Sequence, residues 1–194
     1  MGDAAPPAPL IETVVTTIGP DGRVNCAAMG VRLGDPDLVF WPFDATRTLR
    51  NLRGHGEAVV HLTGDVLLFA QAALGDPRPG VRPADVVRGA IIEGAGAYRE
   101  VAVTDIRPAP GPTPRSEVRA RVVAAGSSAG EAPGLCRARH AVVEASILAS
   151  RIALLDRDAV RGELDRLQVL VEKTAGPRER EAMDYVRRHV EQRA

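Results

Sequence analysis

Val24 to Leu52 reads VNCAAMGVRLGDPDLVFWPFDATRTLRNL and constrains the fold more than any other stretch. It begins as a strand with small residues at its middle, Cys26-Ala27-Ala28-Met29-Gly30. Ala and Gly are poor strand formers, and packing alone favours Val or Ile there. The small residues mark a place where a ligand or a second chain comes close to the backbone. A short apolar strand, Leu38 to Trp41, follows and is closed by Pro42. A polar turn, Asp44 to Thr48, then runs into a helical segment ending near Leu52. Thr46, Arg47, Thr48 and Asn51 place hydroxyls, a guanidinium fork and unpaired backbone N–H groups at a helix N-terminus, which suits a phosphate. Taken alone this is an ordinary capped turn. Directly after the small-residue strand it reads as a phosphate cradle, and the segment offers both ends of a planar, phosphorylated ligand.

The flanking chain supplies more strands. Glu12 to Ile18 is β-branched, and Gly19-Pro20-Asp21-Gly22 turns it back onto Val24 to Leu33 as a hairpin. Glu57 to Thr63 reads as a fourth strand, and Asp65 caps a helix over Val66 to Leu74. Gly75 to Pro83 reads as a loop, and the apolar run Val86 to Ile92 fits either helix or strand. Ala97 to Ile106 reads as a long strand, while Arg107 to Arg115 holds four prolines and reads as a loop or edge crossing. From Glu117 to Val123, Glu117, Arg119 and Arg121 alternate with Val118, Ala120 and Val122, which predicts a half-buried strand.

Gly126 to Gly134 reads as a flexible linker, after which the pattern becomes helical. Ala138 to Leu154 is apolar on most sides and is expected to be largely buried. Val160, Leu164, Leu167 and Val171 mark an amphipathic helix. Gly176-Pro177 ends it and starts another, with Glu179 and Glu181 in the first turn. Several short strands followed by helices give an α+β, mainly β, chain with a barrel and a helical extension. The expected parts are an N-terminal arm over 1–9, a barrel domain over 10–125 and C-terminal helices over 135–194, packing on the barrel and at a dimer interface.

Composition excludes several classes. Formal net charge is zero, against the basic excess that phosphate neutralisation on nucleic acid needs. Met1 to Pro9 is Ala/Pro-rich without a basic or apolar leader pattern, and no apolar run approaches the ~20 residues of a membrane span, so a cytoplasmic protein is expected. Cys26 and Cys136 lie in no paired motif and read as buried thiols. His55, His61, His140 and His189 share no metal-ligand spacing, so no metal is expected; His61 alone is near the proposed site, and a structural role is the simpler reading of it. Glu144 and Arg151 lie on one face of the first C-terminal helix and read as buried pairing groups. Gly94 to Arg99 lacks the third glycine of a dinucleotide fingerprint, and P-loop, HExxH and GxSxG patterns are absent.

The order ETVVTT, DGRVNCAAMGV, VFWPFDATRTLRNL, AVVHLTGD resembles the FMN-binding split-barrel superfamily of flavin reductases and pyridoxamine-phosphate oxidases. It is most similar to a branch known from methanogenic archaea and methylotrophic bacteria. The segment Arg139-His140-Ala141-Val142-Val143-Glu144-Ala145 with Ser150-Arg151 resembles that branch's helical part. The resemblance implies a six-stranded split barrel, a homodimer, and FMN near the dimer interface. It implies that Asn25, Cys26, Ala27, Ala28, Met29 and Gly30 line the flavin and that Thr46, Arg47, Thr48 and Asn51 hold its phosphate; His61 is counted with the cofactor-binding residues, although it departs from the pattern by standing where an Asn is common. The implied function is an FMN-dependent oxidoreductase, flavin reductase-like, passing electrons between a reduced nicotinamide or other donor and a small acceptor. The branch's context adds pterin-linked one-carbon metabolism. A non-catalytic FMN carrier and a cofactor-free assembly protein are the alternatives.

Overall fold

The β-branched run near the start of the chain forms β1 (Leu10–Ile18), and the small-residue segment forms β2 (Val24–Leu33). The turn between them is closed by Gly22 N–H donating to Gly19 O at 3.0 Å, with Gly22 at φ 78°, where a side chain would be strained. β3 (Asp37–Phe40), α1 (Arg47–His55) and β4 (Glu57–Leu62) follow, then α2 (Val66–Leu74). β5 (Val81–Pro83) and β6 (Ala90–Ile92) form a separate two-stranded sheet, and β7 (Ala97–Ala109) and β8 (Arg115–Ser127) form a long hairpin. The computed structural model describes residues 8–34, 36–75, 77–127, 134–150 and 152–192.

Six strands close into a barrel in the order β1-β2-β3-β8-β7-β4. Its interior is filled by Val15, Val31, Phe40, Val60, Val101 and Val118, with Leu49 and Leu52 of α1 in the same cluster. A second cluster joins Val14 and Cys26 to Leu68 and Ala72 of α2, with Val24, Ala28 and Phe69 against it. Alternation along β2 is therefore clear. Val24, Cys26 and Ala28 share the face toward α2, while Met29 and Val31 face the barrel interior, the side on which alternation also puts Ala27.

Two expectations for this half need correction. Of the loop or edge crossing expected over Arg107 to Arg115, the edge is what forms in part: β7 runs through Pro108 to Ala109, and β8 begins at Arg115. Beyond Ala102 β7 pairs only with β8, and a proline is tolerated on such an edge because its missing N–H has no ladder partner to lose. The segment read as a loop from Gly75 to Pro83 ends in β5, which pairs Val81 with Ile92, and the ambiguous run ends in β6. The alternation from Glu117 to Val123 is as expected, with Val118 and Ala120 fully buried. The linker read over Gly126 to Gly134 begins inside β8, and positions 128–133 lie outside the described residues. So does most of the N-terminal arm.

The chain divides into two compact units, Ile11–Leu135 and a helical one from Cys136 onward. The helical unit holds α3 (Arg137–Ser150), α4 (Arg157–Thr174) and α5 (Pro177–Gln192). Here α3 departs from expectation. It buries only a narrow alanine face, Ala138, Ala141, Ala145 and Ala149, while Val143 is 55% and Ile147 40% exposed. Alanines at helical spacing let neighbouring backbones come close, so the larger apolar residues are left on the outer side. Glu144 is exposed, not buried, and Arg151 lies outside the described residues. Arg139 instead bridges α3 to α5 by donating to Glu179 at 3.1 Å. Among the described residues no helix is long and apolar enough to cross a membrane.

Candidate functional site

Local sequence builds the first turn of α1. Thr46 takes an extended conformation, and its hydroxyl accepts from Leu49 N–H at 3.3 Å while donating to Phe43 O at 2.7 Å. That N-cap satisfies one of the helix's unpaired donors and sets the direction of Arg47. The turn before it is held by Ser116, which is buried, donates to Asp44 at 2.7 Å and accepts from Arg53.

Tertiary structure then divides the expected phosphate residues. Thr48 and Asn51 are 1% and 6% exposed and bond inward. Asn25 Nδ2 donates to Thr48 Oγ1 at 3.0 Å and to Thr17 Oγ1 at 3.3 Å, and Asn51 Nδ2 donates to Thr17 Oγ1 at 3.0 Å. These residues join β1, β2 and α1 in one buried polar network. Arg47 faces the other way, into a cleft of about 340 Å³.

Three guanidiniums line that cleft: Arg23 from the end of the first hairpin turn, Arg47 from α1, and Arg78 from the loop before β5. Val24 and Cys26 of β2 also line it, with Pro77, Pro79 and Val81 among the described residues. A chain of zero formal charge thus presents a locally cationic, concave surface over its small-residue strand. Arg23 also pairs with Asp21 at 3.5 Å. Thr48, Asn51, Asn25 and Ala27 to Gly30 are not among the lining residues; Ala27 to Gly30 are half-buried along β2.

His61 is a packing residue. It is fully buried, Ile92 N–H donates to its Nε2 at 3.0 Å, and its Nδ1 lies 3.0 Å from Val14 O. Since Nε2 accepts, Nδ1 carries the proton and donates to Val14. Burial pushes its pKa down to about 4, the bond to Val14 opposing this. The ring joins β4 to β1 and β6 and offers a ligand neither surface nor a free nitrogen.

A second polar cluster, around β5 and β7, is built from residues that the sequence reading did not single out. Glu100 is fully buried, and its carboxylate accepts from the N–H groups of Asp85, Val86 and Val87 at 2.7–3.0 Å. Arg82 donates to Asp85 at 2.8 Å and to Tyr98 Oη at 3.0 Å, and Tyr98 donates to Asp85. Hydrogen bonds from Arg82 and then Tyr98 hold the Asp85 carboxyl below its ordinary range. The sequence signal there was slight, an acid beside Arg99 within a segment read as a strand. Cys26 and Cys136 are both buried thiols, as expected, and among the described residues no cluster could hold a metal ion.

Residues 11–129 match the family model described as the N-terminal domain of a protein of unknown function, DUF447, and residues 136–188 match the companion DUF447 model. The chain belongs to this family. It is also similar to solved structures. An FMN-bound DUF447 protein from Methanosarcina mazei is 19% identical, with TM-score 0.57 over 94% of this chain and 95% of that one. Flavoredoxin from Methanosarcina acetivorans is 16% identical, with TM-score 0.53 over 66% of this chain and 73% of that one. The flavin reductase of styrene monooxygenase from Pseudomonas putida S12 is 18% identical, with TM-score 0.53 over 62% and 82%. At these identities the likeness establishes a shared fold, the six-stranded split barrel.

Proposed function

We propose that this chain is an FMN-binding flavoprotein and acts as an oxidoreductase between a reduced donor and a small acceptor. The observation that carries the reading is the arginine-lined cleft beside β2 and the capped first turn of α1. The residues present fit the cofactor's phosphate: Arg47 and Arg23 offer charge-assisted donors. Two of the solved relatives carry FMN in their descriptions, one FMN-bound and one an FMN-binding protein from Thermus thermophilus, which supports FMN as the ligand.

Bound FMN supplies the electron- and hydride-transfer chemistry. The chain's own part is to hold and orient. Arg47 anchors the phosphate, Thr46 fixes the turn that carries Arg47, and Asn25 and Thr48 lock that helix to β2. The apolar Val24 and Cys26 keep one side of the cleft dry. We also propose a homodimer, supported by the uncovered apolar side of α3 at Val143 and Ile147.

The test is flavin binding followed by turnover. The purified protein should bind FMN in preference to riboflavin, and the bound flavin should bleach on addition of NADH or NADPH. Failure to bind flavin would overturn the reading. Binding without reduction by either nucleotide would favour a carrier or another donor.

A further inference from the structure

The turn that delivers Arg47 is gripped from another part of the chain. It starts just past β3, at Pro42-Phe43-Asp44, and the start of β8 lies against it. Asp44 N–H donates to Pro114 O at 3.2 Å, and Ser116 N–H donates to Pro42 O at 3.1 Å. These bonds make an antiparallel bridge of Phe43 with Arg115, which continues the register that pairs Phe40 with Val118. The guanidinium carbon of Arg115 lies 4.0 Å from the centre of the Phe43 ring and closes the bridge from outside.

Ser116 supplies the side-chain part of this grip. Alternation puts it on the face of Val118 and Ala120, which are fully buried in the barrel core. An apolar residue is the ordinary choice on that face, yet a hydroxyl stands there, 2% exposed. It donates to Asp44 Oδ1 at 2.7 Å and accepts from Arg53 Nη2 at 3.4 Å. Arg53 lies in the last turn of α1, so one hydroxyl joins β8, the turn and the far end of the helix. The near end is reached through the next residue back. Phe43 O accepts from Thr46 N–H at 3.1 Å and from Thr46 Oγ1 at 2.7 Å, and Thr46 caps the helix that Arg47 begins.

We propose that Ser116 is a positioning residue for the phosphate end of the cleft: it sets where Arg47 stands and does not touch the ligand itself. It is not among the described residues that line the cleft. This rests on the flavin reading for what Arg47 holds. A guanidinium fork grips a phosphate only while its N–H groups are aligned, so a turn that drifts weakens the phosphate contact first.

The test reads the ratio of FMN to riboflavin affinity, which isolates the phosphate contact, in a double-mutant cycle. Ser116→Ala should lower the ratio about fivefold or more, part of the roughly ten- to a hundredfold that the Arg47 contact contributes, and leave riboflavin affinity unchanged. Asp44 is exposed, so its substitution spares the core. Asp44→Ala should reproduce the fall, and Asp44→Asn, which keeps an acceptor for the Ser116 hydroxyl, should retain most of the ratio. In an Arg47→Ala background neither Ser116→Ala nor Asp44→Ala should change the ratio further. A Ser116 that only stabilises the fold would lower the melting temperature and leave the ratio alone, or weaken both flavins alike, and either result overturns the proposal. So would a fall that persists in the Arg47→Ala background, since Ser116 would then act by another route. A parent that prefers FMN while both single variants keep that preference sinks the role of Ser116 alone. A parent that binds no flavin sinks the flavin reading and this role with it.

Discussion

Asn25 Nδ2 donates to Thr48 Oγ1 across 3.0 Å, tying the second barrel strand to the first turn of α1. Both side chains are buried, and Thr17 accepts from Asn25 and Asn51 in the same network. The bond joins the small-residue strand to the turn that carries Arg47, so the two parts of the candidate site move as one.

Breaking this link should therefore affect both stability and ligand. Asn25→Ala takes this donor from the buried Thr48 hydroxyl and leaves Thr17 with Asn51, and stability should fall by about 1–3 kcal/mol. FMN affinity should fall as well, because Arg47 is no longer held in register. A melt and an FMN titration check this; a stability loss with FMN affinity intact would show that the network is structural only.

Arg47→Ala should separate FMN from riboflavin. Losing a charge-assisted contact to the phosphate removes ~1.5–3 kcal/mol, roughly ten- to a hundredfold in FMN affinity, and leaves riboflavin almost untouched. Equal losses for both flavins would place Arg47 away from the phosphate.

Neighbouring alanines on β2 should respond differently to bulk. Ala27 lies on the barrel side with Met29 and Val31, so Ala27→Leu should overpack the core at a cost of about 1–3 kcal/mol. Ala28 shares the face of Val24 and Cys26, which line the cleft, so Ala28→Leu should weaken FMN instead. Thermal melting and titration of both variants would detect this; parent-like behaviour in both would remove β2 from the site.

His61 makes stability pH-dependent in a definite direction. Burial lowers its pKa from 6.5 to about 4, so above pH 6.5 both folded and unfolded states hold it neutral and no penalty arises. As pH falls from 6.5 toward 4, the unfolded state takes up a proton that the folded state refuses, and stability drops. The full loss is about 3 kcal/mol. Denaturant melts between these values should show it, and His61→Gln should flatten that part of the profile. An equal slope in the variant would assign the dependence to other groups.

The outer face of α3 tests assembly. If Val143 and Ile147 meet a second copy, Ile147→Asp should shift sedimentation from dimer to monomer at micromolar concentration while the melt stays cooperative. A monomeric parent would overturn the dimer.

Much of the barrel was legible in the sequence because its signals are local. The β2 boundaries, the Asp65 cap of α2 and the alternation around Val118 depend on residues within a few positions of one another. So does the capped turn before α1, in which the structure makes Thr46 the cap and Arg47 the first helical residue. The depth of α3 was misjudged for the same local reason: alanine and valine both count as apolar, and only neighbouring helices decide which of them is covered.

What the sequence by itself determined, then, is where the first four barrel strands and the helices lie and which segment carries the small residues. Tertiary structure decided which polar groups converge. Arg23, Arg47 and Arg78 come from a turn, a helix and a loop far apart in the chain, and no periodicity relates them. Thr48 and Asn51 turned inward because Thr17 and Asn25, on other strands, needed hydrogen-bond partners once buried. A buried polar group must find its partner wherever the fold brings one, and closure of the barrel sets that meeting point.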